Sequence, residues 1–292
     1  MYNQVIMQTI GEQELWSFFD DSPEARIAKT CTVVRQGAGH RVRTFLELAT
    51  RVAELQFRNR DYVLLFRGQT GDYRNSKKNT TLQPSLFRPV QSKNPTPAKL
   101  TERFEILKKA EQTLVERYVK QKLLGVERLK RHRILRWAIL QHYEVCPTPL
   151  LDVTHSLRIA TSFASYPPKN EAFLFVLGVP NLSGAITASA EAGLQIVRLS
   201  SVCPPTAVRP HIQEGYLLGN YPELPDYDQR ALYKPYELDF GRRLVAKFCF
   251  DPEEFWKRND DFPKVAQSAL YPSADDDPLY RLALEVKAAV NP

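Results

Sequence analysis

The sequence predicts an α+β fold, with a mixed or antiparallel sheet core of short strands and helices placed before and between them. Two observations carry this. First, Tyr62–Phe66, Ala172–Val179 and Leu244–Phe250 are short apolar runs rich in β-branched and aromatic residues, which is the signature of buried strands. Second, Leu100, Phe104, Leu107, Ala110, Leu114 and Tyr118 recur at three or four residues and form the apolar stripe of a long helix. No internal repeat and no low-complexity segment interrupts the pattern.

Taken in order, Thr9 followed by Leu15, Phe18 and Phe19 predicts a short capped amphipathic helix. Residues 21–44 read as irregular, with a Val33-Val34 island and a turn at Gly37-Ala38-Gly39. Phe45 to Leu55 has helical period and leads into the strand at Tyr62, which ends on Arg67-Gly68-Gln69. Gly71 to Thr81 reads as an exposed loop, Leu82 to Pro89 as extended chain, and Ser92 to Ala98 as a linker. The long helix starts near Ala98 and breaks at Gly125. A second helix runs from about Leu129 to Tyr143, burying Leu135 and Ile139 with His142 on the same face. Leu150 to Thr154 reads as a strand, and Ile159, Ala160 and Phe163 as a short helix. Gln195–Leu199 and Thr206–Ile212 are shorter strand candidates, and Gly215–Asn220 a strand or turn. A helix, an acidic turn at Asp275–Pro278 and a final amphipathic helix complete the chain. This divides it into an N-terminal helical segment (1–60) packing on the core, a core (61–280) with a basic helical insert at about 98–143, and a C-terminal helix (281–292).

Composition narrows the function classes. At 292 residues and 43% hydrophobic content the chain is an ordinary folded protein. No run approaches the length of a membrane span, and the N-terminus lacks the basic flank and apolar stretch of a secretory signal. Cys31, Cys146, Cys203 and Cys249 lie far apart, and the five histidines show no HxxxH or HExxH spacing. The expectation is therefore a cytoplasmic protein with neither a disulfide framework nor a metal. Residues Lys99 to Arg136 hold 12 Lys and Arg against 5 Asp and Glu, an excess that accounts for the whole net charge of +7. That concentration suits a phosphate or nucleic-acid partner, although a solvated helix face explains it equally simply.

Three polar groups sit at strand ends or turns. They are Arg67-Gly68-Gln69, then Gln141-His142-Tyr143 with Asp152 and Thr154, then Arg209 to Tyr216 with Gln213 and Glu214. The Arg67 guanidinium suits a phosphate or carboxylate, and Gly68 lets the backbone turn tightly or a ligand come close. Each has a plain structural alternative. Arg67 pairs with Asp152 and pins two strands, His142 is a satisfied core histidine, Asp152, Thr154 and Ser156 cap local turns, and Glu214 is an exposed turn residue.

Phe66-Arg67-Gly68-Gln69, followed by LQPSLFR at Leu82–Arg88 and by LQHYEVCPTPLLDVTHSLRIATSFAS at Leu140–Ser165, resembles the FRG domain, a bacterial and phage family named for that tripeptide. RPHIQEGY at Arg209–Tyr216 and Leu270-Tyr271-Pro272 resemble further elements of it, extending the likeness over roughly residues 60–280. Three positions depart from the family pattern: Glu144 stands where glycine is usual, Pro149 where arginine is, and Val153 where tryptophan is. The order of motifs is similar to that of the ADP-ribosyltransferase fold. The resemblance implies NAD or a related nucleotide as substrate, held by Arg67, Gly68, Gln69, Tyr143, Asp152, Thr154 and Ser156. His142, Gln213 and Glu214 would then be the catalytic candidates. It also implies an effector or toxin in bacterial or phage conflict. Two other readings stand beside it: a non-enzymatic nucleic-acid-binding module using helices 99–136, and a scaffold or inhibitor that binds another protein.

Overall fold

Ala172–Val179 is apolar along its whole length, so it needs cover on both faces, and all eight residues are buried in the middle of a sheet. The computed structural model describes residues 10, 13–19, 22–89, 93–232, 239–257 and 262–290. They fall into two units, each built from three stretches of chain. The first holds Met1–Leu82, Val153–Leu182 and Asp239–Gln267; the second holds Gln83–Asp152, Ser183–Leu238 and Ser268–Pro292.

In the first unit Ala172–Val179 pairs antiparallel with Leu244–Phe250 on one side and with Val63–Gln69 on the other. His40–Arg41 adds a short parallel edge to Leu244–Phe250, and Thr154 pairs with Phe66. The strand that ends the apolar run Tyr62–Phe66 continues through Arg67, Gly68 and Gln69, which lie opposite Phe175, Leu174 and Phe173. Gly68 is required by the protein itself: a Cβ there would stand 1.8 Å from the Ala160 carbonyl oxygen and 2.9 Å from the Ala164 nitrogen. The Leu157–Ala164 helix therefore crosses the strand backbone to backbone, which takes up the room a tight turn or a ligand would have used. A cluster of Phe45, Phe250, Phe255, Trp256 and Phe262 closes another part of this unit, with Phe250 and Phe255 at 4.3 Å.

Two expectations here are corrected. Leu15–Ser17 is a strand, not part of a helix, because Leu15 and Ser17 share one buried face and the segment pairs with Arg26–Ala28. Thr9, its expected cap, lies outside the described residues. The Val33-Val34 island is a helix, Cys31–Gln36, whose Cys31, Val34 and Arg35 are buried at helical spacing. The loop expected between Gly71 and Thr81 is exposed from Tyr73 to Lys78 and is anchored at two points. Lys247 Nζ donates to Asp72 Oδ2 at 2.7 Å and to Thr80 Oγ1 at 3.0 Å, while Thr80 Oγ1 donates to Asp72 Oδ1 at 2.7 Å. Arg35 binds the Thr80 carbonyl at 2.8 Å and pairs with Asp239, whose other oxygen accepts from Leu82 N and Gly241 N.

The second unit is organised on the stripe of the Pro97–Lys120 helix, and all six of its members are buried. Thr96 caps the helix by accepting from Lys99 N, with Pro97 at its first position. The stripe packs on Leu279, Leu282, Ala283, Val286 and Val290 of the Pro278–Val290 helix and on Trp137. The single helix expected from Leu129 to Tyr143 is two, Val126–Arg131 and Arg133–His142, parted by extended backbone at His132. Thr206–Ile212, expected as a strand, is instead a helix at Val208–Ile212. Pro210 sits in its first turn, where a missing N–H costs nothing. Gly215–Asn220, Leu194–Arg198 and Ile186–Ser189 form an antiparallel ribbon, the last of them unanticipated. Pro149 and Val153 are both interior positions, so the departures from arginine and tryptophan fall on buried sites.

We expect Gly68→Ala to lower stability by about 3 kcal/mol or more, because two backbones must separate to admit one methyl group. Urea unfolding followed by circular dichroism measures it, and a shift of under about 1 kcal/mol would contradict the close approach.

Candidate functional site

His142 ends the Arg133–His142 helix, whose apolar face carries its ring into the core of the second unit. Gly215 makes room for it: a Cβ there would lie 3.4 Å from His142 Cε1. The Asp152 Oδ1 oxygen is 3.7 Å from Nδ1, an ion-pair distance beyond hydrogen-bond range. Asp152 is oriented through its other oxygen, which accepts from Gln141 Nε2 at 2.6 Å. Gln141 is in turn fixed through Oε1, accepting from Thr148 Oγ1 at 2.6 Å and Ser85 Oγ at 2.9 Å. His142 Nε2 is buried and makes no hydrogen bond among the described residues. Burial, assisted by the Arg209 charge, outweighs Asp152 and holds the imidazole below its ordinary 6.5, so the ring is neutral at pH 7. A neutral imidazole backed by a carboxylate can accept a proton, and the carboxylate can stabilise positive charge nearby.

A second polar cluster in the same unit is structural. Tyr143 Oη and Arg209 N both donate to Asp277 Oδ2 at 2.9 Å, while Asp277 Oδ1 caps the Pro278–Val290 helix at Leu279 N and Tyr280 N. Burial and Asp277 push the Tyr143 hydroxyl far above its usual range, so it donates and does not ionise. Gln213 is buried, and its Nε2 donates to the Leu270 carbonyl at 2.6 Å, tying the Val208–Ile212 helix end to the chain before Tyr271. Glu214 follows it, exposed, in left-handed backbone with φ 45°. Glu144 also lies in that region, at φ 54°, and accepts from Arg209 Nη2 at 2.9 Å.

In the first unit Thr154 Oγ1 accepts from Ser156 N at 3.0 Å, and Ser156 Oγ accepts from Ile159 N at 3.4 Å as the N-cap of the Leu157–Ala164 helix. Both hydroxyls thus serve the turn that starts the helix. Arg67 and Gln69 are half-buried on the Val63–Gln69 strand, and Gln69 Oε1 is buried with no hydrogen bond among the described residues. Arg67, Gly68, Gln69, Thr154 and Ser156 therefore belong to the first unit, and His142, Tyr143, Asp152, Gln213 and Glu214 to the second. Reading the sequence singled out none of Ser85, Thr148 and Asp277. The available signal was a hydroxyl beside a proline in Pro84-Ser85 and in Pro147-Thr148-Pro149, where the chain needs side-chain partners for turn backbone.

Among the described residues no group of three or more His, Cys, Asp and Glu is placed to hold a metal ion, and no helix is long and apolar enough to cross a membrane. A family model described as the FRG domain matches residues 63–172, from the Val63–Gln69 strand to the start of Ala172–Val179, so Gln213 and Glu214 lie beyond it. No curated protein and no solved structure matches the chain.

The lowered pKa of His142 has a sign. An unfolded chain takes up a proton near pH 6.5 that the folded chain refuses, so His142 costs stability as pH falls below that value. Wild type should therefore lose up to about 1.4 kcal/mol per pH unit more than His142→Gln on the acid side of 6.5. Parallel urea titrations from pH 7.5 to about 5 would show equal slopes if the imidazole were charged when folded.

Proposed function

Because residues 63–172 form an FRG domain, we propose that this chain binds NAD or a related nucleotide and acts as an ADP-ribosyltransferase-like protein or an NAD glycohydrolase, an effector or toxin in conflict between bacteria and phages. The observation that carries the reading is the neutral, buried His142 with Asp152 against one ring nitrogen and, among the described residues, no hydrogen bond on the other. Cleavage of the nicotinamide–ribose bond sends the bonding electrons to the nicotinamide nitrogen and leaves positive charge on the ribose. The attacking nucleophile then gives up a proton. Asp152 is the carboxylate suited to that charge and His142 the base suited to that proton. Gln213 has its amide nitrogen engaged by Leu270, which favours Asp152 over it for the electrostatic part.

A second reading rests on where the basic excess goes. Arg103 donates to the Leu86 and Arg88 carbonyls, and Arg136 to Glu111 and to the Leu129 and Lys130 carbonyls, so these two are structural. Lys120, Lys122, Arg128, Lys130 and Arg131 remain exposed within a dozen residues, beside an exposed Leu124. That patch suits a nucleic-acid backbone.

NAD consumption and label transfer from NAD test the first reading. We expect His142→Gln and Asp152→Asn each to lose about a hundredfold or more in rate. Equal rates in wild type and both variants would overturn it. The second reading is tested separately: single-stranded RNA affinity should fall roughly a hundredfold or more between 50 and 200 mM salt if five phosphates are contacted. It should also fall in Lys130→Glu with Arg131→Glu, while NAD consumption does not change.

A further inference from the structure

A cleft of about 980 Å³ opens within the first unit, where the chain leaves the Val63–Gln69 strand through Thr70, Gly71 and Asp72. Its volume is that of a small-molecule site. Phe173 and Cys249, both buried, line it together with the exposed Arg41, Arg74 and Lys169. The carboxylates in the lining do not cancel these cations. Asp72 is saturated by Lys247, Thr80 and Arg74, two of them cationic. Glu171 meets Arg41 only at 3.4 Å, in an exposed pair of the kind that contributes little.

Arg74 is held ready for an anion. Its Nε donates to Asp72 Oδ2 at 2.8 Å, Nη1 to the Gln36 carbonyl at 3.1 Å and Nη2 to the Gly37 carbonyl at 2.8 Å. The guanidinium is thereby fixed in orientation while the rest of its donor fork stays available.

We propose that this cleft binds a phosphorylated small molecule. Arg41, Arg74 and Lys169 meet the phosphate, and Phe173 packs against the body. This holds whether or not the NAD reading does, since His142 and Asp152 belong to the second unit.

Titration calorimetry on the full chain with ribose 5-phosphate, ADP, inorganic phosphate and adenosine tests it. Ribose 5-phosphate and ADP should bind, inorganic phosphate more weakly, and neutral adenosine not at all. Arg41→Glu with Lys169→Glu should weaken both organic phosphates at least tenfold. Both residues are exposed, so the variant should keep the wild-type circular dichroism and melting temperature. His142→Gln should leave all four titrations unchanged. Undiminished binding in the folded double variant, or no binding of any phosphate by wild type, would overturn the assignment.

Discussion

The first unit depends on one steric constraint, the meeting of two backbones at Gly68. A helix and a strand ordinarily keep apart by the thickness of their side chains. Here Ala160 on one side and glycine on the other remove that spacer, and the Ala160 carbonyl lies where a Cβ would be. The small-residue pattern of Leu157–Ala164 and the glycine of the family's tripeptide are thus one packing solution seen from its two sides. Thr154 and Ser156 then start the helix at the required point, so hydroxyls that resemble pocket residues in the sequence are explained by the turn they hold.

The network around Asp72 is the electrostatic counterpart. A lysine with 1% of its surface exposed is tolerated because a carboxylate and a hydroxyl receive its ammonium group. Burial lowers the Lys247 pKa and Asp72 opposes that shift. Removing Asp72 would leave a cation in the interior without its carboxylate. That explains why a polar, turn-rich stretch after the FRG strand is anchored tightly enough to shape a cleft.

Elements that bury apolar surface at a clear period were legible in advance: the six-residue stripe of Pro97–Lys120, the Ala172–Val179 run and the Leu244–Phe250 run. Elements too short for a period to register were not. Leu15–Ser17 is a strand only because Arg26–Ala28 and Asn59 meet its backbone, and Val208–Ile212 is a helix despite its β-branched residues because Pro210 fits a first turn. Gln141, His142 and Tyr143 were grouped with Asp152 and Thr154 by their nearness in the chain. The orienting relay through Gln141, Thr148 and Ser85 joins residues up to 63 positions apart, which no local pattern encodes. The compensation of Lys247 by Asp72, 175 residues away, was hidden for the same reason.

Position 144 carries a different lesson. Its left-handed backbone suits the glycine usual in the family, and a side chain there is disfavoured on conformational grounds. Glu144 answers with an ion pair to Arg209, whose guanidinium also lies over Tyr143 at 5.7 Å and Tyr271 at 4.8 Å. Glycine at 144 would release the arginine at 209 from one of its partners, so this ion pair couples two positions 65 residues apart.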